Sequence, residues 1–159
     1  MREVLLRPLT EELLQRLLAT AVTDADPVEV MPPIAGPPGW TQTRRQAFLD
    51  FHRSRSVGCP DPVEHTYAVV VSGDVVGAAR LQPADDGVEV GVWLGRAHRG
   101  LGIGRAIIEQ LRSLATAAGA ARLTANTTSQ NVAAQRLLAQ AGADLRIDGD
   151  EVAAALDLR

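Results

Sequence analysis

The segment from Thr66 to Leu94 constrains the fold most, because its apolar residues recur with the two-residue period of β-strands. Within it, "TYAVVVSGDVVGAARLQP" predicts two strands joined by a tight turn at Ser72-Gly73-Asp74. After the turn "ADDG", the stretch "VEVGVWLG" alternates valine or leucine with other residues, as a half-buried strand does. We therefore predict three consecutive antiparallel strands in the middle of the chain.

Helical patterns precede these strands. A short strand candidate from Glu3 to Leu9 is followed by leucines at helical spacing, and "TQTRRQAFLDFHRSR" predicts a second helix with its arginines outward. Between the two helices, residues 24–39 hold five prolines and two glycines, too many for a regular element. A long irregular segment of this kind is often a binding loop.

After Leu94 the chain returns to alternating helices and strands. The pattern predicts a helix after the glycines of "HRGLGIGRAII", a strand at "ARLTANT", a helix at "NVAAQRLLAQAG" and a closing hairpin at "DLRIDGDEVAAALDL". The element order is therefore β-α-α-β-β-β-α-β-α-β-β. This order predicts an α/β domain with a central mixed sheet flanked by helices.

The composition is that of one soluble globular domain. The 159 residues are 46% hydrophobic and 22% charged, and the net charge of −3 offers no general basis for nucleic-acid binding. The charged start "MREVLLRPLTEELL" and the lack of a long apolar run predict a cytoplasmic protein without a membrane segment. Cys59 is the only cysteine, which excludes an internal disulfide and a cysteine-cluster metal site, and we predict no metal.

The segment "HRGLGIGRAII" places three glycines just before a predicted helix. A dinucleotide-binding Gly-x-Gly-x-x-Gly pattern fails, since its third glycine, counted from Gly100, falls on Arg105. A phosphate-binding P-loop fails too, because the chain contains no lysine. What remains is a turn whose backbone N–H groups can face a pyrophosphate at a helix N-terminus, flanked by Arg99 and Arg105. A glycine turn that serves only close packing is the alternative.

Together these features resemble the GNAT acetyltransferase superfamily. Arg99, Gly102 and Gly104 match its Arg/Gln-x-x-Gly-x-Gly/Ala motif, after a strand similar to the family's central strand. Asn131 and Ala134 match a later Asn-x-x-Ala pattern. The spacing of these blocks agrees from the predicted meander to the end of the chain, whereas the N-terminal third agrees only in the order of its elements.

The resemblance implies acetyl-coenzyme A (acetyl-CoA) as cofactor and a single N-acetyltransferase domain over residues 1–159. Residues 1–65 would supply the acceptor-side helices and loop, and residues 66–159 the acetyl-CoA-binding core. The fourth strand is expected to splay from its neighbour near its end, which leaves backbone groups free for the pantetheine arm. The cofactor-binding residues that the resemblance implies are Trp93, Leu94, Arg99, Gly100, Leu101, Gly102, Ile103, Gly104, Arg105, Asn131 and Ala134.

Two positions depart from the family pattern. Leu138 stands where many relatives carry a tyrosine that protonates the leaving thiolate, and Ala143 stands where an aromatic residue is common. Either another group serves as the acid or the thiolate leaves unaided. For the base that takes a proton from the amine, the resemblance favours Glu89, and the alternative is a solvent-facing strand glutamate.

The acceptor site is expected among the N-terminal helices and their loop. The substrate-binding candidates there and in the turns are Trp40, Glu64 and Asp85. Acidic residues near the connections either form a rim that attracts a cationic acceptor or are ordinary solvated charges. They are Asp24, Asp26, Glu29, Asp61, Glu64, Asp85 and Asp86. His52 and His65 are interpreted as surface histidines, and His98 as a residue that packs or meets a phosphate.

The leading hypothesis is transfer of an acetyl group from acetyl-CoA to a primary amine of a small molecule. An aminoglycoside-type antibiotic, and hence antibiotic resistance, is the most specific form of it. Acetylation of a protein N-terminus or lysine is the first alternative, and a module that senses acetyl-CoA without turnover is the second. The expected assembly is a monomer or a homodimer, with no nucleic-acid or membrane partner.

Overall fold

The computed structural model describes residues 3–85 and 87–159. In this part of the chain, seven strands form one sheet in the order β1-β2-β3-β4-β5-β7-β6. The strands are β1 (Val4–Pro8), β2 (His65–Val71), β3 (Asp74–Ala84), β4 (Gly87–Leu94), β5 (Arg122–Thr128), β6 (Asp144–Asp148) and β7 (Glu151–Asp157). The helices are α1 (Glu11–Asp24), α2 (Pro27–Val30), α3 (Gln42–Arg55), α4 (Ile103–Ala117) and α5 (Val132–Gln140). No helix among the described residues has the length and apolar character needed to cross a membrane.

The predicted order of elements is confirmed, with α2 as an addition. The prediction that residues 24–39 hold no regular element is wrong for Pro27–Val30, which form one helical turn. Asp26 has an extended backbone at the N-cap position, and Pro27 follows at the start of the helix, where proline loses no hydrogen bond. Apart from Asp24, the last residue of α1, the rest of the segment is irregular, as predicted.

The proline-rich segment is held in place by Arg44 on α3. Its guanidinium donates hydrogen bonds to the carbonyls of Ile34 (2.8 Å) and Gly39 (2.9 Å) and to that of Pro37. The prediction that the arginines of this helix point outward is therefore wrong for Arg44, which is buried. These loop carbonyls accept no backbone hydrogen bond of a helix or strand, and they compensate the buried charge of Arg44.

The middle of the sheet is the predicted antiparallel meander β2-β3-β4. On its other side β4 pairs in parallel with β5, and this pairing ends at Glu89 and Thr124. Beyond that point β4 continues along β3 to Leu94, while β5 continues along β7 to Thr128. The two strands therefore diverge as expected, and a cleft opens between the end of β4 and the end of β5.

Two hydrophobic cores lie on opposite faces of the sheet. The first core contains Ile107 and Leu111 of α4 and packs against one face. The second core contains Leu14 and Leu17 of α1 and Phe48 of α3 and packs against the other. All five side chains are completely buried. Because successive residues of a strand point to opposite faces, each strand of the meander contributes to both cores.

Candidate functional site

The glycine segment forms an open loop at the start of α4. Gly100 and Gly102 have φ values of +74° and +82°, the left-handed region that glycine adopts without strain. Gly102 is the N-cap of the helix. Within the described part of the chain, the backbone N–H groups of residues 100–105 donate to no other group. The loop therefore offers unpaired donors at the positive end of a helix dipole, which fits a pyrophosphate.

The end of β4 lies next to this loop. Leu94 faces the first core and Trp93 the second. The two predicted residues therefore lie on opposite faces of β4, in the part of the strand that no longer pairs with β5. The carbonyl of Leu94 accepts a hydrogen bond of 3.0 Å from Nε of Arg99. The structure thus brings Trp93 and Leu94 together with residues 99–105 at one edge of the cleft.

Asn131 and Ala134 lie at the start of α5. The side-chain oxygen of Asn131 accepts the N–H of Ala134 at 3.1 Å and so caps the helix. The two residues that match the later motif therefore contact each other, and the amide NH₂ of Asn131 is left for a ligand. Leu138, on the same helix, is 5% exposed and belongs to the first core, and Ala143 packs against that core.

A set of ion pairs, here called the clasp, joins residues 24–29 to residues 96–99. Arg99 pairs with Glu29 at 2.5 Å, and Arg96 pairs with Asp26 at 2.7 Å. The backbone N–H of Ala97 donates to the carboxylate of Asp24 at 2.9 Å. Three of the acidic residues proposed as a rim for a cationic acceptor are thus bound by the chain itself.

A cavity of about 310 Å³ lies on the second-core face of the sheet. Three parts of the chain surround it: α2 with the residues after it, the end of α3, and the meander. Its lining consists of Glu29, Val30, Met31, Pro32, Phe51, His52, Glu64, Thr66, Ala78, Ala79, Arg80, Gly91, Val92 and Trp93. Of the predicted substrate-binding residues, Glu64 is in this set.

Trp40 and Asp85 lie elsewhere. The indole N–H of Trp40 donates to the carbonyl of Ala25 at 2.9 Å, and its ring packs edge-on against Phe48 with centroids 5.8 Å apart. Asp85 is exposed in the β3–β4 turn, at the end of the hairpin away from Gly91. Asp86, also proposed for the acidic rim, is outside the described residues.

Polar side chains on the cavity face of the meander form a continuous network. Glu64, only 2% exposed, pairs with Nε of Arg55 at 2.5 Å, and its other oxygen accepts the Thr66 hydroxyl at 3.0 Å. Glu89 pairs with Arg80 at 2.7 Å. The side-chain oxygen of Gln82 lies between the two arginines, 3.4 Å from Arg55 and 3.3 Å from Arg80.

Glu89 is therefore a paired residue at the edge of the cavity. Its side chain is 33% exposed and does not line the cavity itself. Arg80 lies across Gly91, where an added Cβ would come within 2.8 Å of Nε of Arg80. Sequence reasoning missed Arg80 and Gln82, although a signal existed, because both occupy the same face of β3 as the buried Ala78.

His52 differs from its interpretation as a surface residue. It is 5% exposed, lines the cavity, and packs against Phe48 and Phe51 with ring centroids 4.8 Å and 5.3 Å away. Within the described chain, neither ring nitrogen has a hydrogen-bond partner. Burial lowers the pKa of His52 to about 4, with Glu64 opposing the shift and Arg55 adding to it. The imidazole is therefore uncharged at neutral pH.

This burial predicts a pH-dependent stability. Folded His52 takes up a proton only near pH 4, whereas the unfolded side chain does so near its ordinary pKa of 6.5. Between these values the unfolded state binds more protons, so the free energy of unfolding falls as the pH decreases, by roughly 3 kcal/mol in total. Urea unfolding at several pH values should show this loss, and His52→Gln should remove it. Equal pH profiles for both proteins would contradict the assignment.

The positions of the other two histidines, and of the side chains that could bind a metal, follow from the fold. His65 is exposed on β2, and Nδ1 of His98 lies 3.9 Å from the carboxylate of Asp24, beside the clasp. Among the described residues, no three His, Cys, Asp or Glu side chains are grouped as metal ligands.

The family is shown by comparison with known proteins. The family model of the acetyltransferase (GNAT) domain matches residues 3–144, which is most of the chain. Comparison with curated proteins finds no significant match.

Solved structures share the fold. The GNAT domain of S. lividans PAT has a TM-score of 0.73 and 21% identity, covering 98% of this chain and 90% of that chain. The structure of yncA from Salmonella typhimurium with its cofactor acetyl-CoA has a TM-score of 0.65 and 20% identity, with coverages of 98% and 94%. Spermidine N-acetyltransferase from Vibrio cholerae, in complex with CoA and spermine, has a TM-score of 0.73 and 14% identity, with coverages of 98% and 95%. The diverging strands, the open glycine loop and the family match agree, and the chain therefore belongs to the GNAT family as an N-acetyltransferase that uses acetyl-CoA.

Proposed function

We propose that this enzyme transfers the acetyl group of acetyl-CoA to a primary amine of a small molecule bound in the cavity. One observation carries the proposal. Gly91–Trp93 form a wall of the cavity, and the same stretch of β4 lies beyond the point where β5 departs. The acceptor cavity and the cofactor cleft therefore meet at a single strand segment, where an amine and a thioester can be brought together.

Acetyl-CoA, when bound, supplies an acetyl group activated as a thioester. The backbone N–H groups of residues 100–105 would hold its pyrophosphate, and the exposed Arg105 would add a charge-assisted contact. The end of β4 around Trp93 and Leu94 and the free amide of Asn131 would position the pantetheine arm. In this division, residues 66–159 would form the cofactor side, and the cavity for the acceptor would be lined half by residues 1–65 and half by the meander.

The attacking amine must lose a proton, whereas the departing sulfur can leave as a thiolate without gaining one. Glu89 is the candidate base, and because Arg80 holds it outside the cavity lining, it would reach the amine through water. Leu138 offers no hydroxyl to the departing sulfur, and it is buried in the first core. A thiolate is a far better leaving group than an amine, so the proposal needs no acid at that position.

The acceptor class draws support from the structural neighbour that is a spermidine N-acetyltransferase in complex with CoA and spermine, since its title names an amine acceptor. Aminoglycosides, the candidate from the sequence that would imply antibiotic resistance, are the polycationic members of this acceptor class and are therefore included in its test. A cytoplasmic location fits the proposal, because acetyl-CoA is a metabolite of the cytoplasm.

The test is an assay of CoA thiol release with acetyl-CoA and a panel of alkylamines, polyamines, aminoglycosides and short peptides. We expect turnover with a small amine and acetylated product by mass spectrometry. Turnover on peptides alone would assign a protein acceptor instead. Tight acetyl-CoA binding without release of thiol on any amine would favour a sensor.

A further inference from the structure

Resting on the proposed function, we infer that the cavity selects a compact monoamine with an apolar body and rejects polyamines and other polycations. The arrangement of charges around the cavity determines which amine it accepts.

Every carboxylate that lines or borders the cavity already has a cationic partner. Glu29 contacts Arg99 at 2.5 Å and Arg96 at 3.4 Å, one with each oxygen. Both oxygens of Glu64 are likewise engaged, by Arg55 and by the Thr66 hydroxyl. Glu89, at the edge, is held by Arg80. Among the described residues at the cavity, a second ammonium group on the acceptor would find no carboxylate without a cationic partner.

The cationic side chains of these same pairs offer a second ammonium group no compensation either. Arg80 lines the cavity, and Arg55 lies behind Glu64 in the same network. A charged group that is removed from water without an opposite charge loses its hydration and gains little in return. A polyamine would have to place further ammonium groups in these surroundings or leave them outside.

The remaining lining suits an apolar body. Val30, Met31, Phe51 and Trp93 contribute hydrocarbon or aromatic surface, and His52 is an uncharged ring with two unpartnered nitrogens. A neutral imidazole provides one donor and one acceptor. At about 310 Å³ the cavity is at the small end of ligand pockets.

An apolar cavity also favours the reactive form of a monoamine. Desolvation disfavours the ammonium and lowers the pKa of the amine, so the neutral nitrogen that attacks the thioester is more populated than in water. The same effect works against an acceptor that must keep several charges.

The test compares hexylamine with 1,6-diaminohexane, which share a carbon chain and differ by one terminal amine. We expect kcat/KM for hexylamine to exceed that for 1,6-diaminohexane by about ten-fold or more, the cost of one poorly compensated charge. Spermidine and kanamycin should be poorer still. Equal or better turnover of the diamine or of spermidine would overturn the inference and leave the proposed function intact. A tetrapeptide acetylated better than hexylamine would overturn it as well.

A charge added at the mouth gives a second test with a matched control. Pro32 and Pro33 are both exposed, and of the two Pro32 lines the cavity. Pro32→Glu should raise kcat/KM for 1,6-diaminohexane relative to hexylamine by about ten-fold, because it supplies an unpaired carboxylate. Pro33→Glu carries the same net charge outside the lining and should leave the ratio near that of the unmodified enzyme. The same ratio in both variants would contradict the inference.

Binding separates failure of the inference from failure of the proposed function. Trp93 lines the cavity and Trp40, the other tryptophan of the chain, does not. If no amine is acetylated, the proposed function fails, and tryptophan fluorescence then measures selectivity alone. Stronger binding of hexylamine than of 1,6-diaminohexane, with a signal lost in Trp93→Phe, would support the inference. No preference for hexylamine would overturn it.

Discussion

Gly104→Asp is expected to weaken acetyl-CoA binding by about 100-fold or more, because it sets a carboxylate beside the pyrophosphate at the start of α4. Gly104 belongs to the first turn of that helix, where the loop N–H groups are unpaired. An acidic residue in a first helical turn is favourable for the helix itself. Binding should therefore be lost while the fold is kept, which calorimetry with acetyl-CoA and thermal unfolding together can show.

Gly104→Ala is the matched control. A Cβ at this position would lie 3.1 Å from a methyl group of Leu137, so both substitutions bring a Cβ against α5. Only the aspartate adds charge, and the alanine variant should retain most of the affinity. Equal losses in the two variants would mean that packing between α4 and α5, and not an anion site, explains the glycine.

Arg55→Met is expected to lower the free energy of unfolding by about 3 kcal/mol or more, since it leaves the buried carboxylate of Glu64 without its partner. Arg53, two residues earlier on α3, provides the control. It pairs with Glu11 at the same 2.5 Å, but both members of this pair are more than one third exposed. Arg53→Met should therefore cost much less stability than Arg55→Met. Urea unfolding of both variants measures the difference.

The double variant Arg55→Met/Glu64→Gln extends this experiment. Removing both charges should recover part of the lost stability, because the penalty comes from the unpaired buried charge and not from the missing attraction. If the two single arginine variants are equally stable, Glu64 is not the buried acid that the structure shows.

The fold and the glycine loop before α4 were largely accessible from the sequence because they depend on local patterns. Strand alternation located the meander, and the glycines of residues 100–104 located the start of α4. A change from antiparallel to parallel pairing, however, cannot be derived from alternation. The divergence of β4 and β5 was expected only through the family resemblance.

The acceptor side was less accessible because its side chains are fixed by tertiary contacts. Arg44 and His52 follow an ordinary helical pattern, yet the docking of the proline-rich loop and of α3 against the sheet buries both. Trp40 was predicted to form a pocket wall in a rigid loop, but its indole N–H donates to a backbone carbonyl. Some acidic residues pair with arginines that are distant in the sequence, as Glu29 does with Arg99. Such pairs leave no local pattern in the sequence.

The placement of the two cores on opposite faces of one sheet has a consequence for how such an enzyme can diversify. Val30, Met31, Ala78 and Trp93, which line the proposed acceptor cavity, belong to or pack against the second core, whereas α4, which begins at the proposed cofactor loop, packs on the first. Substitutions in well-separated regions act nearly independently on stability. During evolution, residues that line the proposed acceptor cavity can therefore change one by one, while the proposed acetyl-CoA site is kept.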